Sequence, residues 1–267
     1  MRASYSTRSI SGFSLVELSI VLVILGLLTG GILAGRSLIR ASELRAVTTE
    51  HSRYLTATQA FRGKYFGLPG DITNATLIWG KSAIYCNSHS GTAATPGTCN
   101  GNGDGQINRG GAPNSSSEMF QYWTQLALGG LIEGTYTGAS SSGGSIHTVI
   151  GTNVPPSKLA GGGWGSIYRD GVATAVSVMW DDALVEYGNT LMLGADRING
   201  SNYDPVLRPE EAWNIDTKLD DGKPGLGKMI IFGWNSCSDA NDFSDLDSDY
   251  DLTNSAVACT LVFVRQF

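Results

Sequence analysis

The pattern of apolar and polar positions changes character twice along the chain. From Phe13 the sequence is almost wholly apolar, and Leu18–Gly35 is a run of 18 residues without a charge. That is close to the roughly 20 residues that cross a bilayer as a helix. Arg2 and Arg8 precede it, with no acid in residues 1–12, so the amino terminus is expected to stay in the cytoplasm while the bulk is exported. Further on, Leu44, Val47, His51, Tyr54, Thr58, Phe61 and Tyr65 fall at alternating spacings of three and four, one stripe of a helix. Gly67 and Pro69-Gly70 end it. The pattern predicts one helix over residues 13–66, about 80 Å long at 1.5 Å per residue. Its first part, 13–35, is expected in the membrane, and its amphipathic continuation, 36–66, on a globular head. His51 lies on the packed stripe and reads as a core histidine.

Beyond residue 67 the texture becomes short strands and glycine-rich loops. Ser117 is placed to cap a helix carrying Phe120, Trp123 and Leu126, ended by Gly129-Gly130. Residues 138–166 are rich in serine and glycine and are expected to form an exposed, mobile excursion. Val172–Trp180 alternates like a strand. Ala183–Tyr187 and Thr190–Gly194 flank Gly188-Asn189, which reads as a hairpin turn. Pro209-Glu210-Glu211 opens a short helix before Asp220-Asp221-Gly222, and Lys228–Trp234 and Ala258–Val264 read as further strands. The sum is an α+β chain, with a long N-terminal helix packed on an antiparallel β-sheet head spanning 67–267.

Composition narrows the classes. Hydrophobic residues make up 42% of the 267, enough for a packed core. A net charge of −6 argues against a nucleic-acid footprint over the whole surface. Thirty-five glycines without a G-X-Y period exclude collagen, and three histidines leave little for a multi-histidine metal site.

Glu17 does not suit a simple anchor, because a carboxylate inside an apolar run costs a few kcal/mol unless it is near the interface, neutralised or paired. A neighbouring chain's free amino terminus is one cation that would pair with it. Gly31-Ile32-Leu33-Ala34-Gly35 offers a cleaved signal peptide as the plainer alternative. Gly26/Gly30 and Gly31/Gly35 give two G-x-x-x-G spacings, which allow close helix approach and weaken the helix by about 1 kcal/mol each; local unwinding on assembly is one consequence they permit.

Gly12-Phe13-Ser14-Leu15-Val16-Glu17-Leu18, behind a polar basic leader and before an uninterrupted apolar helix, resembles the cleavage and methylation motif of type IV prepilins and type II secretion pseudopilins. The resemblance covers about 30 residues. It implies removal of the leader 1–12 by prepilin peptidase between Gly12 and Phe13, methylation of the new Phe13 amine, and pairing of Glu17 with the amine of an adjacent subunit. It implies a pilin-like fold in which the head is larger than a typical pilin's. The implied partners are other pilin or pseudopilin subunits, the membrane before assembly, and an inner-membrane assembly platform with a separate motor ATPase. The implied location is the inner membrane of a Gram-negative cell, single-pass with a periplasmic head, then a pilus or pseudopilus. Nucleic acid is a partner only under the alternative role of a tip adhesin or DNA-uptake minor pilin, for which 138–166 would be the contact surface. A membrane-anchored hydrolase with a coincidental amino terminus is a third class.

An exported head is expected to hold its four cysteines, Cys86, Cys99, Cys237 and Cys259, as two disulfides. Three pairings are open; sequence-local pairing closes loops of about a dozen and about two dozen residues, worth roughly 3 kcal/mol each. A carboxy-terminal disulfide loop also resembles many type IV pilins. A metal site is the rival, but there is no CxxC and no close histidine except His89. Two stretches are candidate calcium loops. Asn100, Asn102 and Asp104, with Gly105, Gln106 at the backbone position and Ile107, match the first half of an EF-hand loop. Gly111 stands where the bidentate glutamate belongs, so the ligand is missing unless Glu118 folds back; the plain alternative is a glycine-rich turn tied by Cys99. Asp245, Asp247 and Asp249 (with Asp251) offer alternating carboxylates without the glycine, so either a cation binds or they stay solvated. Calcium is thus the only cofactor suggested. Asp216–Pro224 resembles a turn recurring in pseudopilin-like heads and reads as structural, with Lys218 near Asp220 and Asp221.

Enzymatic signatures are missing. Gly222–Met229 nearly spells a phosphate loop, but Met229 replaces the magnesium-binding hydroxyl and a strand follows where a helix is needed. There is no nucleophile elbow, H-E-x-x-H pair or dinucleotide fingerprint. Asp181-Asp182 and Glu210-Glu211 read as surface or cap residues. The chain is expected to be a structural filament subunit, without catalytic residues and powered by a separate motor.

Overall fold

The computed structural model describes residues 12, 14–86, 92–109, 117–140, 146–169, 180, 185, 187–198 and 200–267. The chain forms two compact units, residues 1–42 and 43–267. Helix α1 (Leu15–Tyr65) contributes to both. In the first unit every large apolar side chain from Leu15 to Ile39 is exposed, Leu27 and Leu38 by 72%. The helix runs without interruption through Gly26, Gly30, Gly31 and Gly35, and a Cβ at any of these would meet nothing within 4 Å.

In the second unit α1 buries Val47, Tyr54, Thr58 and Phe61 of the expected stripe and adds Glu50 and Ala57, while Leu44, His51 and Tyr65 at its margins are half-buried. Aromatic packing fixes this face: the Tyr54 ring lies 5.0 Å from Trp123 and 5.6 Å from Trp164, both edge-on. His51 stacks on Phe263 at 4.0 Å, and its Nε2 is 2.7 Å from Gln266 Oε1. The helix ends at Phe66, whose φ of 59° turns the chain out of the helical path. A short helix α2 (Ala75–Trp79) and a small parallel pair, β1 (Lys81–Ser82) with β2 (Ala93–Ala94), follow. Helix α3 (Glu118–Leu128) is buried along Met119–Leu126. Its two buried glutamines are satisfied: Gln125 accepts the Gly70 amide at 2.6 Å, and Gln121 accepts the Cys99 amide at 3.0 Å.

The main sheet is antiparallel throughout. It comprises β3 (Gly163–Arg169), β4 (Gly188–Gly194), β5 (Met229–Phe232) and β6 (Thr260–Phe263), in spatial order β3-β4-β6-β5. The last strand in sequence therefore sits inside the sheet, pairing Leu261 with both Leu193 and Ile231. Strand β5 is a continuous apolar run, β6 is apolar after Thr260, and both are buried at every position, as expected where both faces are covered. Helices α4 (Pro209–Leu219) and α5 (Trp234–Cys237) flank β5 in sequence. Disulfides join Cys86 to Cys99 and Cys237 to Cys259, with Cα–Cα distances of 5.5 and 5.2 Å, so the sequence-local pairing holds.

Two expectations are corrected. The described parts of 138–166 do not form an exposed excursion throughout: Ala139, Ser140, Ile146, Thr148, Asn153, Val154, Leu159 and Trp164 are all buried, and the segment ends inside β3, while 141–145 lie outside the described residues. Asn153 explains how a polar segment packs, because its side-chain amide donates to the carbonyls of Ala139 and His147 and its Oδ1 accepts the Val149 amide. Gly188-Asn189 is not a hairpin turn but the start of β4, opposite Arg169 and Tyr168. The Asn189 side chain is buried, accepting the Ile107 amide and donating to the Gly105 carbonyl. A long-range partner thus overrides the local turn signal. The expected strands Val172–Trp180 and Ala183–Tyr187 fall largely, and Asp181-Asp182 wholly, outside the described residues.

Candidate functional site

The amino-terminal site is built on the first turn of α1. Phe13 and His89 lie outside the described residues; Gly12 is exposed and non-helical. Ser14 precedes the helix and its hydroxyl accepts the Val16 amide at 3.3 Å, while Glu17 Oε2 accepts the Ser14 amide at 2.9 Å. This reciprocal arrangement is a capping box, and it places a negative charge at the positive end of the helix dipole. Glu17 therefore has a local structural task in the single chain that its position in the motif does not advertise.

Residues 7–33 match the family of the prokaryotic N-terminal methylation motif. The chain carries the type IV prepilin and pseudopilin signature. No curated protein and no solved structure matches the chain. The signature marks the chain as a prepilin- or pseudopilin-type substrate of prepilin peptidase, and with the exposed apolar helix it fits membrane anchoring before assembly. The class to which the motif belongs is structural rather than enzymatic.

In the head the first candidate calcium loop is knitted by its own amides. Asp104 accepts the Gln106 amide and the side-chain amides of Asn102 and Asn108. Although desolvation works the other way, these bonds hold the Asp104 carboxyl below its ordinary range. Asn102 Oδ1 accepts the Asp104 amide, and Asn100 Oδ1 accepts the Thr76 amide. For Gln106 it is the backbone amide that joins the loop. Glu118 does reach back: its two oxygens accept the amides of Asn102 and Asn108 at 2.9 and 2.8 Å. Desolvation raises its pKa, with Asp71 and Asp104 adding to the shift against those two bonds. The residue missed by sequence reading is Asp71, buried and accepting Gly103 at 2.6 Å and Gly105 at 2.9 Å. It lies about 30 positions away, and no local spacing signals it. Among the described residues one carboxylate oxygen from each of Asp71, Asp104 and Glu118 lies within 4.8 Å of the others, yet backbone N–H groups supply much of the positive complement there.

The second candidate loop meets an ammonium group. Lys223 Nζ donates to the Asp247 carbonyl at 2.9 Å and lies 3.2 Å from Asp247 Oδ1 and 3.1 Å from Asp249 Oδ1. Asp245 accepts the Asn241 amide. The Asp247 and Asp249 side chains are 88% and 73% exposed, so the like charges are eased by solvent and by one lysine.

Lys218 makes no ion pair with Asp220 or Asp221: its Nζ donates to Asn214 one helical turn back. Asp220 instead accepts the amides of Lys228 and Met229, and Asp221 that of Lys223 at 2.8 Å. Desolvation pushes the buried Asp216 carboxyl up to about 7, helped by the charges of Asp221 and Asp220 and opposed by hydrogen bonds from Tyr250 and Gly222. Glu211 caps α4 by accepting the Arg208 amide at 3.0 Å, and β5 follows the glycine-rich 222–228, so the near phosphate loop has no helix N-terminus behind it.

Proposed function

We propose that the chain is a structural subunit of a type IV pilus or a type II secretion pseudopilus. In this reading prepilin peptidase cuts between Gly12 and Phe13, and the chain assembles through its amino-terminal helix. The observation that carries the reading is the coincidence of the methylation motif at 7–33 with a helix whose large apolar side chains from Leu15 to Ile39 are all exposed. A surface of that kind needs lipid first and other helices afterwards. Cleavage creates a cation at Phe13, and Glu17 supplies the counter-charge to the amine of a neighbouring subunit. Pairing removes the few-kcal/mol cost of carrying a lone carboxylate into an apolar filament core. Glu17 Oε2 already holds the Ser14 amide, and a carboxylate has acceptor sites to spare for an ammonium group. The head then rides on the outside of the filament, while a separate motor acting through an inner-membrane platform supplies the energy of extrusion. The alternative of a tip adhesin or DNA-uptake pilin drew on 138–166 as free surface, and more than half of the described residues there are buried.

Intact mass of the protein from sheared surface material and from membranes tests the reading. The expected result is a chain that begins at N-methylated Phe13. Recovery in the sheared fraction assigns a pilus, and confinement to membranes a pseudopilus. A chain that begins at Met1, or is cut beyond Ala34, overturns it. Glu17→Ala is expected to be processed normally and to fail in assembly.

A further inference from the structure

At the end of the uncharged run Leu18–Gly35 the helix becomes two-sided within one turn. Arg36 follows directly and Arg40 stands four positions on, so the two lie on one side of α1. Leu38, two positions from each, projects to the opposite side. Leu38 and Ile39 are 72% and 63% exposed. Arg36 is exposed too, and among the described residues it has no hydrogen bond or ion pair. The one acid of residues 1–42 is Glu17, 19 positions from Arg36 and about 28 Å away along the helix. A guanidinium without a carboxylate partner thus stands beside apolar side chains that are themselves uncovered.

We propose that Arg36 and Arg40 bind the phosphate of an anionic glycerophospholipid in the outer leaflet of the inner membrane and hold the unassembled subunit there. The proposal rests on the reading of α1 as a membrane anchor before assembly. Leu15–Gly35 is 21 residues, about 31 Å of helix, which matches the roughly 30 Å hydrocarbon core of a bilayer. Arg36 then falls at the level of the phosphates. Arg40 lies about 6 Å further on, inside a headgroup layer that brings the whole bilayer to about 40–45 Å. Leu38 and Ile39 extend the apolar surface past Arg36, which seats this turn in the interface rather than in open water. Each guanidinium presents a planar fork of donors that takes two phosphate oxygens at once. An anionic lipid fits better than a zwitterionic one, because it brings no cation of its own beside the phosphate. Besides the Phe13 amine, Arg36 and Arg40 are the only cations of residues 13–42. Removal of the leader, with Arg2 and Arg8, leaves this pair as the headgroup contact of the helix. Entry into a filament breaks the contact, so anionic lipid opposes extraction.

The test titrates phosphatidylglycerol or phosphatidylcholine into the full processed chain in neutral detergent micelles and counts retained lipid by native mass spectrometry. The same spectra report the mass of the chain. Phosphatidylglycerol is expected to bind at least about fivefold more tightly than phosphatidylcholine. Arg36→Gln is expected to lower its affinity about fivefold, and Arg40→Gln by a further factor of similar size. Arg36→Lys, which keeps the charge and loses the fork, is expected to fall between Gln and the parent. Arg62→Gln, an exposed arginine in the last turn of α1, is expected to change nothing. Equal affinity for the two lipids overturns the proposal, as does a preference that survives the double Gln variant or is lost equally in Arg62→Gln. Displacement of the lipid by excess inorganic phosphate also overturns it, and assigns a site for free anions. A preference for phosphatidylglycerol that depends on Arg36 in a chain beginning at Met1 keeps this site and overturns the processing instead.

Discussion

The two halves of α1 share one backbone and opposite surroundings. From Leu15 to Ile39 the apolar side chains are exposed, and no sheet, disulfide or aromatic cluster is built on them among the described residues. From Val47 to Phe61 one stripe is buried and carries Glu50, whose carboxylate accepts Trp164 Nε1 at 2.8 Å, Ser157 Oγ at 2.6 Å and the Lys158 amide at 2.9 Å. The first half holds its apolar surface for a medium or a partner outside the chain; the second spends it on the chain's own core. Hydrophobicity alone does not separate the two. The difference is whether polar residues share the helix, because a polar face lets water cover one side while the head covers the other.

The sharpest way to break this comparison is to truncate one apolar residue in each half. Phe61→Ala, at a fully buried position, is expected to cost the head about 3–5 kcal/mol. Leu25→Ala, half exposed, is expected to change head stability by less than about 0.5 kcal/mol. Urea unfolding followed by tryptophan fluorescence, with the chain in micelles, measures both; equal losses would erase the distinction between the halves. A somewhat smaller effect is expected for Glu50→Ala, about 3 kcal/mol, because three donors lose their acceptor at once. Glu50→Gln keeps one acceptor oxygen and is expected to lose less; a larger loss for Gln than for Ala would mean that the donors do not hold the carboxylate.

The smallest expected effect is a pH dependence. Burial lowers the pKa of His51, against the raising effect of its bond to Gln266. For a base with a depressed folded-state pKa, the unfolded chain takes up its proton first as pH falls. Its contribution to stability is therefore present above the unfolded value near 6.5 and lost as pH falls from there through the lower folded value. Urea midpoints at pH 7.5 and 5.5 are expected to differ less in His51→Gln than in the parent chain; an unchanged difference would show that His51 does not titrate across this range.

Much of this was legible without coordinates. The boundaries of α1, α3 and α4 follow from apolar period, glycine and proline, and the pairing of cysteines followed chain proximity. Glu50 was not legible, since a glutamate between Thr49 and His51 reads as solvent-facing until Trp164 and the 157–158 turn arrive from over 100 positions away. Nor was the burial within 146–166, which looks like a loop because the groups that satisfy it, such as the Ala139 and His147 carbonyls that accept from Asn153, are placed only by the fold. The carboxylates divide in the same way: the motif around Asp104 was visible, whereas Asp71 joins it only through the fold.

The amino-acid sequence by itself determined the methylation motif, the uncharged run, the position of Glu17 and the amphipathic stripe, because each depends on spacing and charge within a few helical turns. The tertiary structure decided that β6 lies between β4 and β5, that Asn189 turns inward, and that Asp216 is sealed beside two other acids. Those outcomes depend on which distant segments close against one another, and on which polar groups lose water when they do.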